Sequence, residues 1–318
     1  MLKILLLDDY QGRAREWADW SGLPGAQVDV LEHALPDLQS RQARLKGYQV
    51  IVAMRERTPF PAALLEALPD LQLLVTTGMR NAAIDMAACA RRGITVCGAP
   101  GSRNSAGATA ELAWALMLAL AKRLPQSRQA LLDGRWQPEI TQSLAGRTLG
   151  LAGLGQLGQR MALIGQAMGM QVIAWSPHLT PERAAAAGVQ AVSKAELFAR
   201  ADWLSLHLVL SESTRHIVGP EDFAAMQPHA FFINTSRAGL VAPGALLQAL
   251  QVGRIAGAGI DVFDSEPALD DPLLALPQVL ATPHLGYVTD DNLRAFYAHA
   301  AEAIGAWRAG APVRVLGA

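Results

Sequence analysis

The chain contains 318 residues, of which 51% are hydrophobic and 17% are charged, and its net charge at pH 7 is −1. This length suits two domains with separate cores, and the composition excludes an intrinsically disordered chain. The near-neutral charge provides no basic surface for nucleic acid or an anionic membrane, and no apolar run is long enough to span a bilayer. Two cysteines are too few for a disulfide framework or a zinc site, so we expect a cytoplasmic protein that binds no metal.

The first 100 residues alternate short apolar strands with helices. Strands are predicted at residues 3–7, 27–31, 49–53, 71–76 and 94–97, and helices at 13–20, before 45, at 61–68 and at 84–91. Such alternation indicates a parallel sheet that is covered on both faces. Since residues 1–100 contain no glycine fingerprint, we expect them to form a separate α/β domain, which residues 286–318 rejoin through a helix at 291–308.

Residues 101–285 are predicted to form the second domain, which a turn at 100–105 and a long helix at 106–123 introduce. Further strands are predicted at residues 148–152, 171–175, 190–192, 203–208, 230–234, 257–261 and 279–282. Residues 124–146 fit neither sheet and are interpreted as an arm or linker. An apolar Trp136 in this segment suits a subunit interface, and we expect a homodimer.

The hexad Gly153-Leu154-Gly155-Gln156-Leu157-Gly158 lies between a predicted strand and a predicted helix. A GxGxxG pattern alone is a weak signal in a chain with 28 glycines, but the strand–turn–helix context is typical of a dinucleotide-binding fingerprint. Gly153 would allow the tight turn, Gly155 the approach of a pyrophosphate, and Gly158 close packing of the helix. The pyrophosphate would lie at the helix N-terminus near Gln156. A glycine-rich turn that binds no nucleotide is the alternative.

The ribose contact is less well defined by the sequence. An NAD-binding unit usually carries Asp or Glu at the end of its second strand, where this chain has Ser176. A hydroxyl cannot repel a 2′-phosphate by charge, so the usual bias against NADP is missing. We expect NAD as the cofactor and leave NADP open. Arg183 could bind such a phosphate or be a solvated residue in the first turn of a helix.

Arg237, Glu266 and His284 each follow a predicted strand, and ligands of parallel sheets bind at the carboxyl ends of the strands. Their segments resemble the D-isomer-specific 2-hydroxyacid dehydrogenases, a family that includes formate, phosphoglycerate, glycerate and D-lactate dehydrogenases. The matching segments, besides the hexad, are Ile233-Asn234-Thr235-Ser236-Arg237, Gly259-Ile260-Asp261-Val262-Phe263 with Glu266-Pro267, and Thr282-Pro283-His284-Leu285-Gly286, and shorter matches are Asn104-Ser105, Ala110-Glu111 and Ser213-Thr214. Together they span roughly residues 75–290.

The resemblance implies two doubly wound α/β domains, one Rossmann-type and one flavodoxin-like, with a cleft between them. It also implies hydride transfer between NAD(P)H and a small 2-keto or D-2-hydroxy acid, such as glyoxylate or hydroxypyruvate. Arg237 would bind the substrate carboxylate, His284 would exchange the proton, and Glu266 would orient and stabilise the imidazole. Taken one at a time, Arg237 would also fit a surface arginine, Glu266 a helix-capping glutamate and His284 a core histidine.

The resemblance further assigns cofactor contacts and a carboxylate-binding loop. The implied cofactor contacts are Gly153, Gly155, Gln156, Leu157, Gly158, Ser176, Val209, Thr214, Thr235, Ser236, Asp261 and Gly286. Asp261 would accept a hydrogen bond from the nicotinamide carboxamide. The implied substrate contacts, besides Arg237, are Arg55, Gly78, Met79 and Arg80.

Two features depart from the family pattern in ways that bear on the substrate. The loop at Thr77 to Asn81 carries Met79 and Arg80 where glycine and valine are usual, and Arg80 is either a substrate contact or a solvated residue. Arg55 and Arg57 could bind a second acidic group, which would favour a substrate larger than glyoxylate. Ala238, where the family has glycine, crowds the backbone after Arg237.

The competing interpretation is a binding protein that senses nicotinamide nucleotides, like the transcriptional co-repressors related to this family. The sequence shows no long polar tails or peptide-docking extension, which disfavours it. No regulatory domain follows residue 318, so we also expect a protein unlike the large, feedback-controlled phosphoglycerate dehydrogenases.

Overall fold

The computed structural model describes residues 1–317, with the backbone alone at Ala106. The chain divides into two compact units: unit 1 is Met1–Ser105 with the chain from Thr289 onward, and unit 2 is Ala106–Val288. The range 286–318 assigned from the sequence to the first domain includes Ala318, which lies outside the described residues.

Unit 1 contains a five-stranded parallel sheet in the order β2-β1-β3-β4-β5. The strands are β1 (Leu2–Leu6), β2 (Ala26–Val30), β3 (Val50–Ala53), β4 (Leu73–Thr77) and β5 (Thr95–Ala99). Its helices are α1 (Ala14–Trp17), α2 (Leu38–Leu45), α3 (Ala62–Glu66), α4 (Met86–Arg91) and α12 (Asp290–Arg308). This strand order is that of flavodoxin, which confirms the predicted fold class of this part.

The strands of unit 1 form because their apolar runs are buried on both faces. All four residues of β3 and all five of β4 are buried, as expected for central strands of a parallel sheet. Helix starts are set by side chains that accept backbone hydrogen bonds: Asp37 accepts from Ser40 N at 2.7 Å, and Asp85 from Ala88 N at 2.8 Å. Loops follow the carboxyl ends of the strands and lead into these helices.

Unit 2 contains a seven-stranded parallel sheet in the order β12-β11-β10-β9-β6-β7-β8. The strands are β6 (Thr148–Ala152), β7 (Gln171–Trp175), β8 (Gln190–Ala191), β9 (Trp203–Leu206), β10 (Phe231–Asn234), β11 (Gly257–Ile260) and β12 (Val279–Ala281). The helices are α5 (Ser105–Ala121), α6 (Leu124–Leu132), α7 (Gln156–Ala167), α8 (Pro181–Ala186), α9 (Lys194–Arg200), α10 (Pro220–Ala225) and α11 (Ala245–Gln251). The order reverses between β6 and β9, which is the Rossmann arrangement and places a ligand crevice beside that reversal.

Alternate residues of these strands belong to two apolar layers. Leu204, Leu206 and Phe232 pack in the core that includes Phe198 of α9. The neighbouring residues Trp203 and Ile233 pack in the other core, which includes residues of α5 and α7. Side chains alternate between the two faces of a strand. The alternation within β9, β10 and β11 therefore determines on which face of the sheet the residues after these strands lie.

The segment 124–146, interpreted as an arm or linker, contains one helix that the sequence pattern did not reveal. Helix α6 has proline in its first turn, which is favourable there, but it has a weakly apolar face. Apolar side chains of the segment 124–146 are largely exposed: Leu132, at the end of α6, is 64% accessible, and Trp136 and Ile140, which follow the helix, are 79% and 90% accessible. Within residues 1–317, no helix combines the length and apolar character needed to cross a bilayer.

Candidate active site

The glycine hexad forms the turn from β6 into α7, and each glycine has a distinct environment. Gly153 has φ +107°, and a Cβ there would lie 2.6 Å from the carbonyl oxygen of His207. A Cβ on Gly158 would lie 2.1 Å from the carbonyl oxygen of Gly153. In contrast, no atom lies within 4 Å of a Cβ placed on Gly155. The open side of Gly155 and the free N–H groups at the start of α7 could hold an anion such as a pyrophosphate.

The turn after β7 presents a hydroxyl at Ser176, which is partly buried. Arg183 lies in the first turn of α8: its N–H donates to Thr180 Oγ1 at 3.3 Å, and its Nη1 reaches back to donate to the carbonyl of His178 at 3.0 Å. The guanidinium therefore stabilises the β7–α8 connection, while its exposed side chain remains near the strand end. Neither observation separates NAD from NADP.

His284 and Glu266 form a hydrogen-bonded pair, with His284 Nδ1 and Glu266 Oε2 at 2.7 Å. The other carboxylate oxygen of Glu266 accepts from Phe263 N at 3.0 Å. Burial alone would raise the pKa of Glu266, but the hydrogen bond and charge of His284, the Phe263 N–H and the charge of Arg237 together lower it. An ionised Glu266 accepts a hydrogen bond from the Nδ1–H group of His284. This leaves Nε2 as the ring nitrogen that can exchange a proton with a substrate.

Arg237 follows β10 in a turn that Asn234 organises. The buried amide of Asn234 donates to the Arg237 carbonyl at 3.1 Å and accepts from Ser236 N at 3.0 Å. Arg237 Nη1 donates to the Ser236 carbonyl at 2.8 Å, and Ser236 Oγ donates to the Leu206 carbonyl at 2.9 Å. The charge of Arg237 is one of the causes that lower the pKa of Glu266, so its guanidinium lies within electrostatic range of the Glu266–His284 pair.

Asp261 holds the loop that carries His284, a function that the sequence pattern did not reveal. Its Oδ1 accepts from Thr282 Oγ1 at 2.7 Å and Leu285 N at 2.6 Å, and its Oδ2 accepts from Gly286 N at 2.8 Å. Burial raises the pKa of Asp261, and these three donors oppose that shift by favouring the carboxylate. These bonds flank His284, whose backbone has φ +55°, a left-handed conformation that is uncommon for residues other than glycine.

Thr109, on α5, supports the same loop from its other side by donating to the Gly286 carbonyl at 2.7 Å. A Cβ on Gly286 would lie 3.2 Å from Asp261 Oδ2, so a larger residue would crowd this contact. Thr109 was not predicted, because a threonine in an apolar helix carries no sequence signal of a distant partner.

Other predicted cofactor contacts have local roles in the structure. The Thr214 hydroxyl donates to the Val209 carbonyl at 2.6 Å and accepts from Ser211 N at 2.8 Å, so it closes its own turn. The Val209 side chain is 77% exposed, whereas Thr235 is buried at the end of β10. Gln156 and Leu157 are the first residues of α7.

His207, which follows β9, is another residue beside the site that the sequence pattern did not single out. Burial lowers its pKa to about 4, so the imidazole is neutral at pH 7, and its Nε2 lies 2.8 Å from Ser205 Oγ. Since its backbone lies against Gly153, it forms part of the wall behind the glycine turn.

The predicted substrate loop lies in unit 1. Gly78 has φ +97°, and a Cβ there would lie 1.9 Å from Arg55 Nη1, so the guanidinium rests directly on the glycine. Arg55 N donates to Thr77 Oγ1 at 2.8 Å. Asn81 Nδ2 donates to the Arg55 carbonyl at 2.6 Å and to Thr76 Oγ1 at 2.9 Å. Asn81, which the sequence did not single out, therefore joins the ends of β3 and β4.

The remaining side chains around this loop differ in exposure. Met79 is 44% exposed and its sulfur rests on Gly98, where a Cβ would lie 2.7 Å away. Arg57 Nη1 donates to the Asp8 carbonyl at 2.7 Å, and its guanidinium lies 4.3 Å from the centre of the Tyr10 ring. Arg80 is exposed, which fits both a substrate contact and a solvated residue.

Among residues 1–317, no group of three or more His, Cys, Asp or Glu side chains is arranged to hold a metal ion. The predicted site residues contribute a guanidinium, a carboxylate–imidazole pair and a glycine turn at a helix N-terminus.

Several known proteins are similar to this chain in sequence. The model of the D-isomer specific 2-hydroxyacid dehydrogenase NAD-binding domain matches residues 114–286. D-3-phosphoglycerate dehydrogenase of Methanocaldococcus jannaschii is 37% identical over 255 residues, which are 79% of this chain and 48% of that protein. Hydroxypyruvate reductase of Thermotoga maritima is 36% identical over 249 residues, which are 77% of this chain and 80% of that protein.

A solved structure extends the similarity to both units. The phosphoglycerate oxidoreductase of Vibrio cholerae O395 is 41% identical, with a TM-score of 0.92, and the match covers 98% of this chain and 100% of that one. The chain spans about half the length of the curated phosphoglycerate dehydrogenases it matches.

Proposed function

Because the chain belongs to the D-isomer-specific 2-hydroxyacid dehydrogenase family, we propose that it transfers a hydride between NAD(H) and a small 2-oxo or D-2-hydroxy acid. The matched domain is the family's NAD-binding domain, and NAD is the cofactor. The observation that carries the proposal is the pairing of His284 with an ionised Glu266 that Arg237 also influences.

The residues of unit 2 account for the proton and the charge in this reaction. NADH, when bound, supplies the hydride. His284 donates its Nε2 proton to the carbonyl oxygen as negative charge develops there, and Glu266 stabilises the imidazolium before the transfer. Arg237 provides the planar, two-pronged cation that suits a carboxylate and polarises the adjacent carbonyl. In the reverse direction, neutral His284 accepts the hydroxyl proton.

The hexad supplies the cofactor site in this proposal. Gly155 leaves its outer side open, and α7 has the length to present a full helix dipole to a pyrophosphate. Ser176 would contact the ribose, and the absence of a carboxylate at that position leaves NADP as a second cofactor. The twelve cofactor residues named from the sequence stay predictions.

The substrate contacts proposed in unit 1 are Arg55, Gly78, Met79 and Arg80. The Gly78 N–H donates to the Ala99 carbonyl, and the Arg55 guanidinium lies against the side of Gly78 that no Cβ covers. Such a loop would bind the carboxylate of a 2-oxo acid, with Arg80 available for a second polar group. Relatives named hydroxypyruvate reductase and glyoxylate reductase support substrates of this size.

Turnover tests the proposal. The purified protein should oxidise NADH in the presence of hydroxypyruvate or glyoxylate, and His284→Ala should lower this rate by roughly 10²–10⁴-fold while NADH still binds. A protein that binds NADH but reduces no member of a 2-oxo acid panel would instead fit a nucleotide-sensing protein without turnover, which no present observation favours.

We also propose that the protein is a cytoplasmic homodimer. The exposed apolar side chains Leu131, Leu132, Trp136 and Ile140 form a surface that a second copy could cover. Both cysteines are buried and unpaired, which suits a reducing compartment. Sedimentation of the wild type should give a dimer, and Trp136→Ser should shift it toward monomer. A monomer at micromolar concentration in the wild type would refute this assembly.

A further inference from the structure

The His284 imidazole contacts a second side chain, Tyr287, which the reaction described above does not use. The two ring centres lie 5.5 Å apart, with their planes inclined by 72°. This edge-to-face arrangement falls within the distance of about 4.5–7 Å at which aromatic rings attract each other. Tyr287 is partly buried and lies in the loop that Asp261 and Thr109 hold through Gly286. The contact is therefore built into the loop and is not an accident of two mobile side chains.

We propose that Tyr287 is a positioning residue that fixes the plane of the His284 imidazole so that Nε2 faces the substrate carbonyl. The inference rests on the proposed function of His284 as the proton donor. Tyr287 itself exchanges no proton in this proposal, because it acts on the substrate only through the orientation of the imidazole.

The existing hydrogen bond does not orient the imidazole fully. The bond from Nδ1 to Glu266 Oε2 restrains one ring atom, and small coupled rotations of the side chain can tilt the ring about that atom. Asp261 acts on the backbone on either side of His284 through Thr282, Leu285 and Gly286. The Tyr287 ring adds a contact to the face or edge of the imidazole, which restrains the tilt.

The orientation matters because proton transfer depends steeply on geometry. A displacement of about 1 Å in a reacting group can lower a rate by roughly 10²-fold, and removing the general acid lowers it by roughly 10²–10⁴-fold. We therefore expect replacement of the Tyr287 ring to lower kcat by about 10- to 100-fold, which is less than the effect of His284→Ala. The KM for NADH should change little, since the contact belongs to the imidazole.

The test compares Tyr287→Phe, Tyr287→Leu and Tyr287→Met with a matched control. Phe retains the ring and should retain kcat within about threefold, whereas Leu and Met remove the flat ring and should lower kcat. Phe223 and Phe232 form a similar edge-to-face pair in the core of unit 2, with ring centres 5.1 Å apart and planes inclined by 69°. Phe223→Leu should lower the melting temperature without a comparable loss of kcat. NADH binding, measured by fluorescence, establishes that each variant is folded.

A double-mutant cycle with His284→Ala separates positioning from general destabilisation. If Tyr287 acts through the imidazole, Tyr287→Leu should lower kcat in the wild-type background and have almost no further effect in the His284→Ala background. An equal loss in both backgrounds, or an equal loss in Tyr287→Phe and Tyr287→Leu, would overturn the proposal. If the wild-type protein and all variants lack turnover with every 2-oxo acid tested, the proposed function fails, which is a different result.

Discussion

Replacement of Glu266 by glutamine tests the carboxylate–imidazole pair because it preserves shape and removes one charge. The amide oxygen can accept either from His284 Nδ1, across the 2.7 Å distance, or from Phe263 N, but not from both, because the amide NH2 group at the other position is a donor. The Glu266 and His284 side chains are 27% and 21% exposed, so solvent screens the lost charge only in part. The variant thus removes the charge of Glu266 together with one of its two acceptor positions.

The size of the expected shift in pH dependence follows from the difference in strength between charged and neutral hydrogen bonds. A bond to a charged group contributes about 1.5–3 kcal/mol and a neutral one about 0.5–1.5 kcal/mol, so imidazolium loses about 1–1.5 kcal/mol of stabilisation. Since one pH unit corresponds to about 1.4 kcal/mol, the pH dependence should move by about one unit. Reduction needs protonated His284, and its rate declines at high pH as the proton is lost. In Glu266→Gln this decline should begin at lower pH.

The assay measures kcat/KM for a 2-oxo acid between pH 5 and pH 9 in wild type and Glu266→Gln. Glu139→Gln is the control, because it removes a carboxylate of 21% exposure from the ion pair with Arg123, which lies 2.5 Å away. The lowered pKa of Glu266 keeps it ionised as the pH falls into the ordinary carboxylate range, so the wild-type profile should show no second change near pH 5 from this group. An unchanged profile in Glu266→Gln would refute the pairing as the source of imidazolium stabilisation.

Three further outcomes follow from the cofactor site and the substrate loop. Ser176→Asp should reduce kcat/KM with NADPH more than with NADH, and an equal loss would mean that the ribose is not bound here. Gly155→Ala should fold normally but weaken NADH binding, measured by fluorescence titration, whereas Gly158→Ala should lower the melting temperature because its Cβ would meet the Gly153 carbonyl. Asn81→Ala should raise the KM for the 2-oxo acid more than it lowers kcat, and the opposite split would exclude a substrate-positioning role for the loop.

The parallel α/β organisation could be predicted from the sequence because short apolar strands alternate with helices along most of the chain. The β6–α7 turn was predictable for a further reason: its glycines have separate steric requirements that fix their spacing. Strand ends shifted by one or two residues, as at β9, which ends at Leu206 and not at residue 208. Hydrophobicity continues past the last ladder hydrogen bond, so the pattern alone does not mark where pairing stops.

Parts of the candidate site depend on contacts between residues far apart in the chain. Asp261 was assigned to the cofactor, but its three hydrogen bonds to the His284 loop depend on the alignment of β11 with β12. Thr109 and Asn81 likewise bind partners that only the folded chain brings near. The three catalytic candidates were identifiable because each follows a strand, where the sheet topology gathers ligand-binding groups.

The most direct test of the central claim is whether Arg237 recognises a substrate carboxylate. The measurement is kcat/KM with NADH for hydroxypyruvate and for glycolaldehyde, its decarboxylated analogue, in wild type, Arg237→Lys and Arg237→Ala. Wild type should strongly prefer hydroxypyruvate, and alanine should remove most of this preference through both KM and kcat. Lysine should restore only part of it, because its charge is not two-pronged. Wild-type protein that reduces both compounds equally well would contradict the assignment of Arg237 and of the 2-oxo acid substrate class.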